Sequence, residues 1–169
     1  VHKFLNLGRI ERGDLTVNKT DLDIRKDVFD VSIESLKPIA ARKNIVIENE
    51  LEQNLRVNAD RDLMLVTANN LINNAIKYGK ETGRIIIKSN INGTKVAIDV
   101  YNDSTPIRAD QKDRLFKKFS RLETAETKNI KGTGLGLFIT MQIIEKHGGR
   151  IWVEPRDAGN SFIFEIERN

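Results

Sequence analysis

Four asparagines crowd one short segment that is otherwise typical of a helix: Asn69, Asn70, Asn73 and Asn74. Asparagine costs up to about 0.7 kcal/mol relative to alanine inside a helix, because its amide competes for backbone hydrogen bonds. Asn70, Asn74 and Lys77 are spaced by four and three residues, so they share one helix face. We therefore predict that this face presents amide oxygens to a cation, while the Lys77 ammonium holds an anion bridged to it.

A second segment with chemical potential is the glycine run Lys131-Gly132-Thr133-Gly134-Leu135-Gly136-Leu137. Glycine lets the backbone approach a ligand closely. The run leads into a predicted helix, whose N-terminus offers unpaired N–H groups and a positive dipole end to a phosphate. The spacing fits neither a Walker loop nor a dinucleotide-binding fingerprint. Taken alone, the run is equally compatible with a flexible loop that packs closely against its helix.

Composition limits the classes of function. The 169 residues, 39% hydrophobic and 31% charged, fit a soluble domain with one core. The absence of cysteine excludes disulfides, thiolate metal sites and a cysteine nucleophile. The net charge of +4 is scattered along the chain, so we expect no nucleic-acid partner. No apolar stretch approaches the ~20 residues of a membrane span, and the opening in mid-pattern suggests a piece of a longer protein.

Helices and strands must position these residues. Apolar periodicity predicts helices ending near Gly13 and spanning 25–43, 60–78 and 135–146. Strands are predicted at 45–48, 56–59, 84–89, 95–101, 151–154 and 162–166, with shorter extended pieces at 15–17 and 21–24. Asn92-Gly93 is a strong hairpin signal. The layout predicts a two-layer α/β sandwich, in which helices cover one face of a mixed, mostly antiparallel sheet.

A polar, charged segment runs from about residue 102 to 131 and contains one apolar cluster, Leu115 to Phe119. So long a segment without regular structure is uncommon in a compact domain unless it is functional. A merely solvated loop is the alternative. We predict that residues of about 103–131 form a mobile lid over the ligand.

Taken in order, these motifs resemble one family. Asn70–Tyr78 resembles the N box of sensor histidine kinases, Leu115–Leu122 their F box, and Gly132–Leu137 their second glycine box. Phe4–Gly13 resembles the end of the family's dimerisation helix, and Ile144–Val153 its helix-to-strand segment. The resemblance implies a Bergerat-type ATP-binding fold. Residues 1–13 would end the dimerisation and histidine-phosphotransfer helix, and residues 14–169 would form the catalytic ATP-binding domain.

The resemblance also implies roles for single residues. Asn74 would coordinate Mg²⁺ through its amide oxygen, Asn70 would support the phosphate–metal cluster, Lys77 would contact phosphate and Tyr78 would flank the adenine. The other residues implied at the ATP site lie in the lid and after it: Ile107, Phe116, Lys118, Phe119, Arg121, Lys131, Gly132, Thr133, Gly134, Leu135, Gly136 and Leu137. Among these, Lys118 and Arg121 would approach the phosphates when the lid closes. Phe116 and Phe119 would pin the lid to the body.

One motif departs from the family's pattern of an aspartate followed by two glycines at alternate positions. The aligned stretch is Asn102-Asp103-Ser104-Thr105-Pro106-Ile107. Asn102 occupies the position whose aspartate accepts from the adenine amino group, and its amide oxygen could accept the same bond more weakly. Asp103 is an alternative acceptor if the register differs, and the residues leave both open. Ser104 and Pro106 replace the glycines, which predicts a stiffer loop.

The implied function is ATP- and Mg²⁺-dependent transfer of the γ-phosphoryl group to a histidine on a dimerisation domain, and onward to a response-regulator receiver domain. The parent protein would be a cytoplasmic homodimer, with anchoring in the inner membrane left open. His2 is expected at the surface, and His147 at a helix C-terminus favoured by the dipole. An ATP hydrolase resembling gyrase, Hsp90 and MutL is disfavoured because Asn70 stands where those enzymes carry a glutamate base. A degenerate nucleotide-sensing or scaffolding module is the other alternative, motivated by the altered loop.

Overall fold

The computed structural model describes residues 2–121, 130 and 132–169, with side chains from residue 7 onward. Its helices are α1 His2–Glu11, α2 Asp30–Arg42, α3 Arg61–Tyr78, α4 Ala109–Lys112 and α5 Gly136–Lys146. A π-helical turn, Arg25–Phe29, leads directly into α2. Each long helix coincides with a segment in which apolar residues recur at helical spacing. No helix in the described ranges is long and apolar enough to cross a membrane.

The strands form two sheets. They are β1 Thr20–Asp23, β2 Val46–Asn49, β3 Arg56–Ala59, β4 Arg84–Asn92, β5 Lys95–Asp103, β6 Arg150–Pro155 and β7 Gly159–Glu167. The main sheet has the order β2-β4-β5-β7-β6, and only its β2–β4 pair is parallel. The short strands β1 and β3 pair separately as an antiparallel ribbon. The predicted fold class, a mixed and mostly antiparallel sheet in an α/β arrangement, is confirmed.

The core lies between the main sheet and α2, α3 and α5. Strand β5 shows why the sheet packs against the helices on one face. Its residues Val96, Ile98 and Val100 are almost wholly buried and alternate with half-exposed residues. Full burial of such a side chain contributes about 1.5–3 kcal/mol. Phe29 and Phe164 stack across the core with ring centroids 6.4 Å apart. The same alternation places Asn102, at the end of β5, on the helix-covered face.

Two features differ from the sequence-based expectations. Residues 15–17 form no strand, and Leu15 instead buries its side chain in the core. The polar segment is not irregular throughout, because β5 extends to Asp103 and α4 forms one turn at Ala109–Lys112. Residues 122–129 of the predicted lid lie outside the described residues.

The N-terminus of α3 is fixed by polar contacts at Asp60. The Asp60 Oδ1 atom accepts from the Leu63 backbone N–H at 3.1 Å, which makes Asp60 the N-cap. Its own backbone N–H donates to Nε2 of His147 at 3.0 Å. The end of α5 therefore holds the start of the asparagine-bearing helix.

His147 lies at the C-cap of α5, as its position in the sequence suggested, but it is not a charged surface residue. Its ring is buried, and its Nδ1 atom lies 2.7 Å from the Ile143 carbonyl. Because Nε2 accepts from Asp60, the proton is on Nδ1 and the ring is neutral. Burial lowers the pKa of His147. The nearby Lys19 ammonium lowers it further, while the Ile143 carbonyl and the Asp60 carboxylate oppose the shift.

This depressed pKa predicts a loss of stability in mild acid. Between the folded and unfolded pKa values, the unfolded chain binds more protons at His147, so the free energy of unfolding falls as pH drops below about 6.5. We expect a slope of at most about 1.4 kcal/mol per pH unit for this one group. Urea unfolding of the wild type and His147→Gln between pH 5.5 and 8 measures the difference. A wild-type slope retained in His147→Gln, or removed by the control His2→Gln, would contradict the assignment.

Candidate functional site

A cavity of about 690 Å³ lies between α3, the start of α5 and the loop after β5. Most of the residues proposed from the sequence line it: Asn70, Asn74, Lys77, Tyr78, Asn102, Ile107, Arg121, Gly132, Thr133, Gly134, Gly136 and Leu137. They come from four separate stretches of the chain. Its volume is in the usual range for small-molecule and cofactor sites.

The asparagine face of α3 forms one wall. Asn70 is buried, and its amide nitrogen donates to the Gly136 carbonyl and to Oγ1 of Thr140, both at 3.2 Å. A carbonyl can only accept, so this contact fixes which end of the carboxamide carries the hydrogens. Asn74 and Lys77 follow on the same face, half-buried at the cavity. Asn70 therefore ties α3 to the N-terminus of α5, in addition to lining the cavity.

The C-terminus of α3 is held by a residue that the sequence analysis missed. The Nζ atom of Lys43 donates to the carbonyls of Ile76, Lys77 and Gly79 at 2.8, 3.1 and 2.8 Å. These carbonyls have no partner within the helix, and a cation satisfies them well. Burial lowers the pKa of Lys43, whereas the Glu81 carboxylate raises it. An isolated lysine gives no sequence signal for this role, because its acceptors lie more than thirty residues away.

The glycine run and α5 form the opposite wall. Leu135, the N-cap of α5, is buried and provides no side-chain cap, so the first N–H groups of the helix remain available to an anion. Gly134 adopts φ +70°, and a Cβ there would lie 2.7–2.9 Å from backbone atoms of Phe119 and Ser120. Glycine is thus required at this position. Gly132 has no such constraint, since the nearest atom to its Cβ position is the Lys77 Nζ at 3.9 Å.

The loop after β5 is braced by Asn160. Its Oδ1 accepts from the Ile107 N–H at 2.8 Å, and its Nδ2 donates to the Ser104 hydroxyl and the Thr105 carbonyl at 2.9 and 3.0 Å. Asn160 is buried and is the register partner of Asn102 across the β5–β7 pair. A side chain from a distant strand thereby fixes the loop in which Ser104 and Pro106 replace glycines.

The structure distinguishes Asn102 from Asp103. Asn102 is 3% exposed and lines the cavity. Asp103 points to the other face of the sheet, where its Oδ1 accepts from the Tyr101 hydroxyl and its Oδ2 from the Arg84 N–H, both at 2.8 Å. Successive side chains of a strand point to opposite faces, so only one of the two can reach the cavity. The sequence left the choice open because it does not fix the strand register.

Lys118 and Phe119 make contacts that the resemblance did not predict. The Lys118 ammonium pairs with the Glu11 carboxylate of α1 and lies 5.7 Å from the centre of the Phe138 ring, outside the cavity lining. Phe119 is 64% exposed and has φ +62°, so it does not pin the lid to the body. Contacts with α1 and with the Gly134 backbone, both distant in sequence, set these positions.

Four more residues that the resemblance implied at the ATP site remain to be placed: Phe116, Leu135, Arg121 and Lys131. Phe116 packs edge-on against Phe162, with ring centroids 6.4 Å apart, and so joins the segment after α4 to the sheet. Leu135 is buried beside the cavity, outside its lining, and its N–H donates to Thr133 Oγ1 at 3.3 Å. Arg121 lines the cavity and donates to the Ile130 carbonyl. Lys131 lies outside the described residues.

Several lining residues were not proposed from the sequence: Lys43, Asn73, Gly79, Lys80, Ser104, Thr105, Pro106, Arg108, Gln111, Leu115, Ser120, Ile130, Asn160 and Phe162. Asn73 lies one residue before Asn74 on α3 and also lines the cavity. The signal for it was the asparagine cluster itself.

The charged side chains in the described lining of the cavity all carry positive charge. Among the described lining residues, the basic ones are Lys43, Lys77, Lys80, Arg108 and Arg121, and no carboxylate is present. The polar neutral groups are mainly carboxamides. Such a lining suits a ligand with several negative charges and a neutral, flat portion.

Comparison with known proteins identifies the family of this chain. The family model described as "Histidine kinase-, DNA gyrase B-, and HSP90-like ATPase" matches residues 59–169. The sensor protein VanS of Enterococcus faecium is 30% identical over 167 residues, which are 98% of this chain and 43% of VanS. The sensor protein kinase WalK of Staphylococcus epidermidis is 28% identical, with 97% of this chain and 27% of WalK covered. The chain therefore spans less than half the length of these relatives.

Solved structures of histidine kinases also resemble this chain. The catalytic domain of histidine kinase ThkA superimposes with a TM-score of 0.79 at 35% identity, covering 89% of this chain and 96% of that domain. A structure of ThkA in complex with the response regulator protein TrrA matches with a TM-score of 0.78 at 29% identity, covering 99% of this chain and 48% of that one.

Proposed function

This chain belongs to the family of histidine kinase-, DNA gyrase B- and HSP90-like ATPases, as a catalytic domain of the histidine kinase type, and on that premise we propose that it binds ATP with Mg²⁺ and presents the γ-phosphoryl group to a histidine. The observation that carries the proposal is the cavity in which the Asn74 and Lys77 face of α3 meets the glycine-led start of α5. A helix N-terminus, a lysine and the Asn74 amide that we assign to Mg²⁺ converge there on one volume.

In this proposal the two ends of the cavity have different tasks. Lys77, Arg121 and the α5 N-terminus bind the phosphates. Tyr78 and Ile107 flank the adenine, and Asn102 contacts its edge. The described lining favours this division, because Lys77, Arg121 and the first N–H groups of α5 come from α3, the lid and α5, while Asn102 belongs to the buried sheet end.

The side chains present fit Mg²⁺. No group of three or more His, Cys, Asp or Glu residues that could hold a metal occurs within the described ranges. The Asn74 amide oxygen, supported by Asn70, offers neutral oxygen ligands, and Mg²⁺ commonly completes its shell with phosphate oxygens and water. When bound, Mg²⁺ would neutralise charge on the phosphates. Metal affinity should then depend on nucleotide.

The chemistry assigned to this chain is positioning. Phosphoryl transfer requires little covalent participation from protein groups, and it depends on alignment and charge stabilisation. Lys77 and the α5 N-terminus would hold the phosphates while the γ-phosphoryl group faces an incoming imidazole. His147 is not that acceptor, because its ring is buried and both nitrogens are hydrogen-bonded.

The acceptor histidine would belong to a dimerisation domain of a longer parent protein, and a response-regulator receiver domain would take the phosphoryl group next. The match to ThkA bound to TrrA supports the second partner. We expect a homodimeric parent whose catalytic part works in the cytoplasm. The chain described here should bind nucleotide without labelling itself.

ATP hydrolysis is the weaker candidate. A hydrolase of this fold needs a general base beside the attacking water, and Asn70 cannot accept a proton. The described cavity lining offers no carboxylate as a substitute. A non-catalytic nucleotide sensor would share the binding site, and only the full-length protein can distinguish it, by failing to phosphorylate its own histidine while binding Mg-ATP.

Calorimetric titration with a non-hydrolysable ATP analogue tests the proposal. We expect one saturable site whose affinity rises at least about tenfold when Mg²⁺ is added, since contacts to charged groups contribute about 1.5–3 kcal/mol. Absence of binding with Mg²⁺ present would refute the proposal. Rapid steady-state release of phosphate from ATP would instead favour the hydrolase.

A further inference from the structure

The base end of the cavity differs chemically from a site built to select adenine. Adenine presents an amino donor at C6 and an acceptor at N1, whereas guanine and hypoxanthine present an oxygen acceptor at C6 and a donor at N1. A buried carboxylate can only accept, so it binds the amino group and repels the 6-oxo group. The groups that face the base therefore determine which purine is accepted.

No carboxylate is available at this end among the described lining residues. The nearest candidate in sequence, Asp103, lies on the opposite sheet face and is held there by Tyr101 and Arg84. Reaching the cavity would require breaking both bonds and shifting the strand register by one residue. The acidic selector is thus absent from the cavity, although an aspartate is the next residue in the chain.

The carboxamide of Asn160 cannot take over recognition of the base either. Asn160 uses its oxygen for the Ile107 N–H and its nitrogen for the Ser104 hydroxyl and Thr105 carbonyl. Rotating it would place its NH2 group against the Ile107 N–H and its oxygen against the Thr105 carbonyl, and would release the loop.

The carboxamide of Asn102, unlike that of Asn160, is not occupied by hydrogen bonds to described residues. Asn102 is 3% exposed at the cavity, and no described residue donates to or accepts from its carboxamide. Its side chain can therefore turn either its oxygen or its nitrogen toward a ligand. Rotation by about 180° exchanges an acceptor for a pair of donors at almost unchanged shape. The oxygen would meet the amino group of adenine, and the nitrogen would meet the oxygen of a 6-oxopurine.

We propose that Asn102 makes this site accept 6-oxopurine nucleotides, those of guanine and hypoxanthine, alongside adenine nucleotides. The inference rests on the proposed nucleotide-binding function and specifies its substrate class. Asn102 can pair with the group at C6 in either class of purine, and a buried polar group left unpaired is the main source of strong discrimination.

Calorimetric titration with ADP, GDP and IDP in the presence of Mg²⁺ tests the inference. We expect GDP and IDP to bind the wild type within about tenfold of ADP. Asn102→Asp should tighten ADP and weaken both 6-oxopurines, widening the ratio to roughly 100-fold or more, as for a buried charge left against an acceptor. Measurement at pH 8 keeps the introduced carboxyl ionised. Asp103→Asn, which alters the carboxylate on the other face, is the matched control and should leave the ratio unchanged.

Each outcome has one meaning. A wild-type preference for ADP above about 100-fold over IDP, or an unchanged ratio in Asn102→Asp, overturns the inference. Tight IDP with weak GDP overturns acceptance of guanine and assigns its rejection to the 2-amino group. A changed ratio in Asp103→Asn shows that the selecting residue is misassigned. If none of the three nucleotides binds, the proposed function itself fails.

Discussion

Asn74→Ala is expected to lose nearly all of the magnesium-dependent part of its nucleotide affinity. The amide oxygen of Asn74 is the ligand that we assign to Mg²⁺, and no described carboxylate lines the cavity to replace it. In saturating Mg²⁺, affinity for a non-hydrolysable ATP analogue should fall about 10- to 100-fold, since a contact with a charged group contributes about 1.5–3 kcal/mol. Without Mg²⁺, wild type and variant should bind alike. Titration calorimetry in both conditions measures the difference.

Stability provides the internal control for this variant. Alanine is the better helix former, so α3 should not weaken. Asn69→Ala makes the same change on the same helix, but at an exposed residue that faces Ser32 and not the cavity. It should bind nucleotide like the wild type, with or without Mg²⁺. Equal magnesium dependence in Asn74→Ala and Asn69→Ala would show that the metal is held elsewhere.

Gly134→Ala is expected to impair nucleotide binding while the core stays folded. Gly134 has φ +70°, where a Cβ costs about 1–2 kcal/mol. The added methyl would also meet Phe119 and Ser120 backbone atoms at 2.7–2.9 Å. Backbone cannot rotate away as a side chain can, so the glycine run and the segment after α4 must separate. Since Ser120 and Gly134 both line the cavity, affinity for the ATP analogue should fall at least about tenfold.

Gly132→Ala is the matched control for this substitution. It has an ordinary φ, and its Cβ position meets nothing closer than 3.9 Å. It should retain affinity within about threefold although Gly132 lines the cavity, because the added methyl group forces no backbone atom to move. Thermal unfolding of both variants separates a local change from a global one. Comparable affinity in the two variants would mean that the close approach at Gly134 does not shape the site.

The sequence identified much of the cavity but not the contacts that support it. Lys43 and Asn160 carry no motif, because each acts through backbone groups of residues distant in the chain. Lys118 and Phe119 matched a motif, yet one pairs with Glu11 and the other is exposed. A motif indicates which residue types occur together, whereas a side chain's direction depends on packing against elements that the motif does not contain.

Local order along the chain was sufficient to predict the helix that carries Asn70, Asn74 and Lys77, and the glycine run ahead of the next helix. Helical periodicity and turn chemistry act over a few residues, so the amino-acid order encodes them directly. The choice between Asn102 and Asp103 was different. It depended on how β5 pairs with β4 and β7, and a shift of one residue would exchange the two faces. Only the tertiary structure, through pairing between distant segments, placed the amide inside the cavity and the carboxylate outside.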